Sequence, residues 1–159
     1  MQIRRKVVVK IKGKEKEFDT IFDSGSSITI MSTEIKKEVF GDIEERKLSK
    51  IREIVLPNGE RMSVDSYIDA EIKIDDYMIE ERIYLSKEFK KVVVVKGREV
   101  KLPDLIIGAP TMETWGIELD LKTGKIRSCR EGFLLIYHIE PTAKRMPQNF
   151  IPRWRGWGL

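Results

Sequence analysis

The chain has 159 residues, enough for one ordinary domain and too few for two sizeable ones. It is 41% hydrophobic, which suffices for one core, and 35% charged, against roughly 25% in an average soluble protein. A single Cys (Cys129) excludes an intramolecular disulfide and a cysteine-rich zinc site, and a single His (His138) means that a His-pair metal site would have to be shared between chains. The net charge of +4 is uneven: residues 1–121 carry 22 basic and 24 acidic groups, whereas residues 122–159 carry 8 and 2. The basic excess therefore belongs to the C-terminal end. Two Asn and two Gln beside so many Lys, Glu and Arg match the bias of proteins from hot environments. No stretch approaches the ~18–20 apolar residues of a membrane span. The N-terminus runs into the strand-like Val7-Val-Val without a signal-peptide core, so the expectation is a soluble, cytoplasmic protein.

In chain order, Lys6–Ile11 and Glu17–Phe22 read as two strands joined at Lys12-Gly-Lys14. After Asp23-Ser24-Gly25 comes a short apolar run, Ile28–Met31. Ser32 can cap a helix that has Glu34 in its first turn, Ile35 and Val39 on one face, and Gly41 as its stop. Ile51–Leu56 and Glu60–Val64 flank Pro57-Asn58-Gly59, a strong hairpin signal. Ile68, Ala70, Ile72 and Ile74 alternate with Asp69, Glu71, Lys73 and Asp75, as in a strand with one dry face and one wet face. Tyr77–Leu85, Val92–Val95 and Leu105–Ile107 read as further strands. Pro110 then suits the first turn of a short helix that Gly116 closes. Ile117–Leu121 and Ile126–Ser128 form a last hairpin around Lys122-Thr-Gly124, and Phe133–Ile139 reads as a final strand. Many short strands with one or two short helices predict a mainly antiparallel β-domain over residues 1–139. From Glu140 the composition changes to three prolines, four basic residues and two tryptophans in a tail over residues 140–159.

Few residues can carry chemistry. His138 lies in the apolar run Leu134–Ile139 and reads as structural, and Cys129 has no nucleophile motif around it. Gly108-Ala-Pro lacks the glycine spacing and the Lys of a phosphate loop. Asp23-Ser24-Gly25 stands apart because of its setting. By composition, on the order of one chain in ten to twenty of this size contains Asp-[Ser/Thr]-Gly by chance, and the bland reading is a solvated Asx turn. Here the tripeptide sits between two apolar runs. A carboxylate in that position is costly to ionise unless it has a partner or a task.

In these residues the chain resembles the retroviral-type, retropepsin-like aspartic proteases, of the kind found in bacteria and archaea. Three elements match in order: a hydrophobic strand leading into Asp23-Ser24-Gly25-Ser26-Ser27, a Gly-bearing hairpin at Leu56-Pro57-Asn58-Gly59 like the family's flap, and Asp104-Leu-Ile-Ile-Gly108 followed by a short helix ending at Trp115-Gly116. The hairpin Ile117–Ile126 is similar to that of bacterial and archaeal members, and the likeness covers about residues 5–128. It implies a small closed β-barrel with a flap hairpin and one or two short helices, one lobe per chain.

The resemblance also implies a mechanism in which two carboxylates share one proton, because like charges that close cannot both ionise. Asp23 is the only carboxylate followed by Ser/Thr-Gly. The second must then come from another copy, so the resemblance implies a homodimer with Asp23 at its two-fold axis. Ser24 would brace the two loops across that axis. Gly25, Ser26 and Ser27 would line the bound peptide, and Asn58 and Gly59 would close over it. Gly108 should let its strand pass close beneath the catalytic loop. No cofactor and no metal are implied.

Two positions depart from the retroviral pattern. Ser27 and Ala109 stand where an acid and an Arg usually pair, so both charges are missing together and neither is orphaned. Other contacts must then support a dimer, Phe133–Ile139 among them. A different class of reading is a catalytically inactive dimerisation or peptide-binding module that keeps the fold. Arg153-Trp-Arg-Gly-Trp157 interleaves cations and aromatics, as nucleic-acid and membrane-surface segments do. The simpler reading of that tail is an arm packed on the body or on the partner subunit.

Overall fold

Alternating apolar and charged residues fold into a β-barrel, seen in a computed structural model that describes residues 2–55, 61–89 and 92–128. The first hairpin pairs β1 (Gln2–Ile11) with β2 (Lys14–Asp23) through a two-residue turn. Lys12 and Gly13 both have positive φ, 47° and 82°, the twist that suits antiparallel neighbours. A loop leads to β3 (Ile30–Ser32) and α1 (Thr33–Phe40). Ser32 caps that helix by accepting from Glu34 N at 3.2 Å, and Gly41, with φ 59°, ends it.

Next come β4 (Arg46–Val55), β5 (Arg61–Ile74) and β6 (Tyr77–Ser86). They are followed by a small hairpin of β7 (Val92–Val95) and β8 (Arg98–Lys101), and then by β9 (Leu105–Gly108). α2 (Ala109–Trp115) and the pair β10 (Ile117–Asp120) and β11 (Lys125–Ser128) complete the described chain.

The strand order β1-β2-β9-β3-β6-β5 closes on itself, because Val8, Val9 and Lys10 of β1 also pair with Lys73, Ile72 and Glu71 of β5. β4 lies outside this ring against β5. Closure removes free edges from six strands and encloses one core, in which Val9, Phe22, Met31, Ile72, Ile83 and Leu105 are completely buried. The mainly β class, the closed barrel and the two short helices agree with the sequence-based expectation. No helix among the described residues is long and apolar enough to cross a membrane.

Two strands differ from that expectation. β5 is one 14-residue strand rather than two segments broken near Asp65-Ser66-Tyr67. Its inward alternation runs from Met62 and Val64 through Ser66 to Ile68, and the buried Ser66 hydroxyl donates to Glu45 Oε2 at 3.1 Å. A small polar side chain with a partner thus keeps its place in the dry row. β8 carries one apolar residue among charges and shows no alternation. It pairs with β7 through Lys96-Gly97, a second turn with two positive φ values. The flap tip with Asn58 and Gly59, Cys129, His138, the strand expected at Phe133–Ile139 and the tail over residues 140–159 all lie outside the described residues.

Candidate active site

The chain path itself builds the site. β9 runs between β2, to which it is parallel, and β3, to which it is antiparallel. The connection from the end of β2 to β3 must therefore cross the C-terminal end of β9. Asp23 is the last residue of β2 and is level with Gly108, the last of β9.

That crossing is tight. A Cβ at residue 108 would lie 2.3 Å from Ile28 O and 2.8 Å from Ser26 O, so only glycine fits, as the resemblance implied. Gly108 has φ −93°, which any residue adopts, so the requirement is one of space. Hydrogen bonds then fasten the loop. Ala109 N donates to Ser26 O at 2.8 Å, Ser26 Oγ donates to Ile28 O at 2.8 Å, and Ser26 N donates to Asp23 O at 3.1 Å.

Two threonines complete the support. Thr29 Oγ1 accepts from Gly108 N at 3.1 Å and lies 2.7 Å from Thr111 Oγ1 on α2, and both side chains are buried. The sequence reading did not single them out. Threonine is an ordinary strand residue, and nothing local shows that Thr29 and Thr111, 82 positions apart, will meet. The other end of β9 is pinned by Asp104, whose N donates to Asp19 O at 2.7 Å and whose Oδ2 accepts from Asp19 N at 2.9 Å. Asp19 also holds Arg4 in a bidentate ion pair. The hydrogen bonds from that guanidinium hold the Asp19 carboxyl below the usual carboxylate range.

Asp23 itself is half-buried, and Ser24, Gly25 and Ser27 beyond it are exposed. Its Oδ1 accepts from Gly25 N at 2.8 Å, and its Oδ2 accepts from Gln2 Nε2 at 2.9 Å. One bond comes from the loop's own backbone and the other from the start of β1. Together they fix the carboxylate plane while the loop still faces solvent. Gln2 also escaped the sequence reading, because only the β1–β2 register brings it level with Asp23.

Beside the loop, Ile28 and Ile106 join a second apolar cluster containing Ile30, Met62, Val64 and Phe89. This cluster forms an apolar flank from the Asp23 loop to β4 and β5. A hollow of about 510 Å³ lies elsewhere, at the Lys12-Gly13 end of the barrel, and the opposite charges of Lys10, Glu71, Glu80 and Arg82 line it. Nothing of the Asp23 loop reaches it. Among the described residues, no group of three or more His, Cys, Asp or Glu gathers in a way that could hold a metal ion. At Asp23 the arrangement offers one oriented, accessible carboxylate on a rigid loop beside an apolar surface.

No protein-family model and no curated protein matches the sequence. The fold does have solved counterparts. The retroviral protease-like domain of Ddi1 from Leishmania major matches with a TM-score of 0.50 at 16% identity, over 80% of this chain and 89% of that one. The EIAV protease, solved in complex with the inhibitor HBY-793, matches with a TM-score of 0.52 at 13% identity, over 76% of this chain and 94% of that one. The chain has a retropepsin-like fold.

Proposed function

We propose that this retropepsin-like chain is an aspartic endopeptidase acting as a homodimer, with Asp23 of each copy supplying half of the catalytic pair. The observation that carries the reading is the Asp23 loop. It is seated over Gly108 and bonded through Ala109, Thr29 and Ser26, so that an oriented carboxylate stands at an accessible edge of the barrel. Such a loop needs little reorganisation when charge moves through it.

In the proposed reaction, two Asp23 carboxyls share one proton and hold a water between them. The ionised carboxylate takes a proton from the water as its oxygen bonds to the scissile carbonyl carbon. The protonated carboxyl gives its proton to the carbonyl oxygen, forming a tetrahedral gem-diol. The first carboxyl then returns its proton to the leaving nitrogen as the C–N bond breaks, and the second recovers one from the collapsing diol. Ser24 braces the two loops, Gly25, Ser26 and Ser27 line the extended peptide, and Asn58 and Gly59 close over it. Gln2 acts as a positioning residue through Asp23 Oδ2.

The test combines activity with association state. Cleavage of an unfolded protein between about pH 3 and 7 should disappear in Asp23→Asn, which keeps the side chain's shape and the Gly25 contact. Activity per chain should rise with concentration as dimers form, and a dimer structure should place the two carboxyls about 3 Å apart, as the class requires. Equal cleavage by Asp23→Asn, or full activity from a species that sediments as a monomer, would sink the proposal. A dimer that binds peptide without cleaving it would instead establish the inactive peptide-binding module.

A further inference from the structure

We infer that β4 and the β7–β8 hairpin form a docking surface for an extended acidic polypeptide. This inference rests on the endopeptidase reading, because it names a substrate class for that site. Of the charged groups in residues 1–121, β4 and β7–β8 hold seven cations and only two acids, while the rest of that stretch has an acidic excess of seven. Lys47, Lys50, Lys96 and Arg98 are exposed, and none forms an ion pair with another described residue. These cations stand beside aliphatic side chains that the fold leaves in water: Ile51 is 69% exposed, Val55 64% and Val94 70%.

Both elements also keep an unpaired main-chain edge among the described residues. β4 ends the seven-stranded order, and β7–β8 is a sheet of two strands. Such edges bind extended chains by adding a strand, with side-chain contacts supplying selectivity. Two basic edges repel one another, which disfavours a second copy as the occupant and favours an acidic strand. Nucleic acid fits less well, because single strands bind by stacking on aromatics and neither element contains one.

β4 adjoins the candidate site, and the chain leading towards β7 packs beside it. Leu48 and Ile54 of β4, Phe89 just before β7, and Ile28 and Ile106 of the site's flank all pack in the second apolar cluster. Ser63 N donates to Glu88 Oε2 at 3.3 Å and Ser86 Oγ donates to Ser63 O at 2.8 Å, tying the chain at the end of β6 to β5.

The probe is a labelled peptide of alternating Glu and Val, titrated into the full-length Asp23→Asn protein. Tight, salt-sensitive binding is expected. It should weaken about tenfold or more when Lys47, Lys50, Lys96 and Arg98 are together changed to Glu. A Lys/Val peptide binding equally well, an unchanged dissociation constant in the reversed variant, or binding of a single-stranded oligonucleotide in place of the peptide would overturn it. The single reversals Lys50→Glu and Arg98→Glu, each expected to weaken binding by a smaller factor, keep the test decisive if the fourfold variant does not fold. In the Asp23 protein, two unfolded substrates differing only in an acidic segment separate the two ideas. Charge-selective binding without any cleavage retains the docking surface and removes the endopeptidase. Cleavage with equal kcat/KM on both substrates retains the endopeptidase and removes the docking surface.

Discussion

Gly108→Ala is the sharpest perturbation of this architecture, because a single methyl group meets the backbone of the crossing loop. The new Cβ would lie 2.3 Å from Ile28 O, 2.7 Å from Ile28 C and 2.8 Å from Ser26 O, whereas real Cβ atoms essentially never approach within 3.0 Å. Carbonyl groups cannot rotate out of the way as a flexible side chain would. Either the loop or β9 must move by at least 0.7 Å at Ile28 O, the gap between 2.3 and 3.0 Å. That shift strains the bonds Ala109 N to Ser26 O, Ser26 Oγ to Ile28 O and Gly108 N to Thr29 Oγ1. Overpacking costs roughly 1–3 kcal/mol and each of the three weakened hydrogen bonds about 1 kcal/mol, so a loss of about 4–6 kcal/mol is expected. Against a typical domain stability of about 5–15 kcal/mol, this lowers the Tm by on the order of 10–15 °C. Urea and thermal unfolding followed by circular dichroism measure it. Gly124→Ala is the control, since φ is +67° there and nothing lies within 4 Å, leaving only backbone strain of about 1–2 kcal/mol. A Gly108→Ala protein no less stable than Gly124→Ala would refute the close crossing, and with it the seating of the Asp23 loop.

The other predictions concern the same loop and its surroundings. Thr29→Val removes the acceptor for Gly108 N and the partner of Thr111 Oγ1, both buried, and should cost about 2–3 kcal/mol in urea unfolding. Adding Thr111→Val should cost less than its single-variant value, because one orphaned hydroxyl disappears; strict additivity would show that the two do not interact. Asp19 is held below its ordinary range chiefly by its hydrogen bond from Arg4, so its contribution to stability is complete above about pH 4 and is lost as pH falls through its lower folded value. Asp19→Asn should therefore flatten the acid side of a Tm-against-pH curve, and identical curves for the two proteins would contradict the assignment.

Local chemistry in the sequence determined the elements. Two-residue turns with Gly at Lys12-Gly13, the Ser32 cap, the Gly41 stop and the inward row Ile68, Ala70, Ile72 and Ile74 each act through contacts within a few residues, so their signals are written locally. The Asp23-Ser24-Gly25 and Leu105–Gly108 segments were legible for the same reason. Strand β8 was not, because its charged residues gain their place only from pairing with β7. The join in β5 was also hidden, because Ser66 reads as a break until Glu45 supplies its partner.

The tertiary structure alone decided what stands around Asp23. The register of β1 against β2 brings Gln2 level with Asp23, and β9 passing between β2 and β3 sets Gly108 and Thr111 under the loop. These contacts join residues 21 to 82 positions apart, and their geometry follows from strand order and register, which no single segment encodes. The uneven charge also resolves only in three dimensions. Within residues 1–121, which are slightly acidic in total, seven cations and two acids collect on β4 and β7–β8, whose outer edges pair with no other described strand.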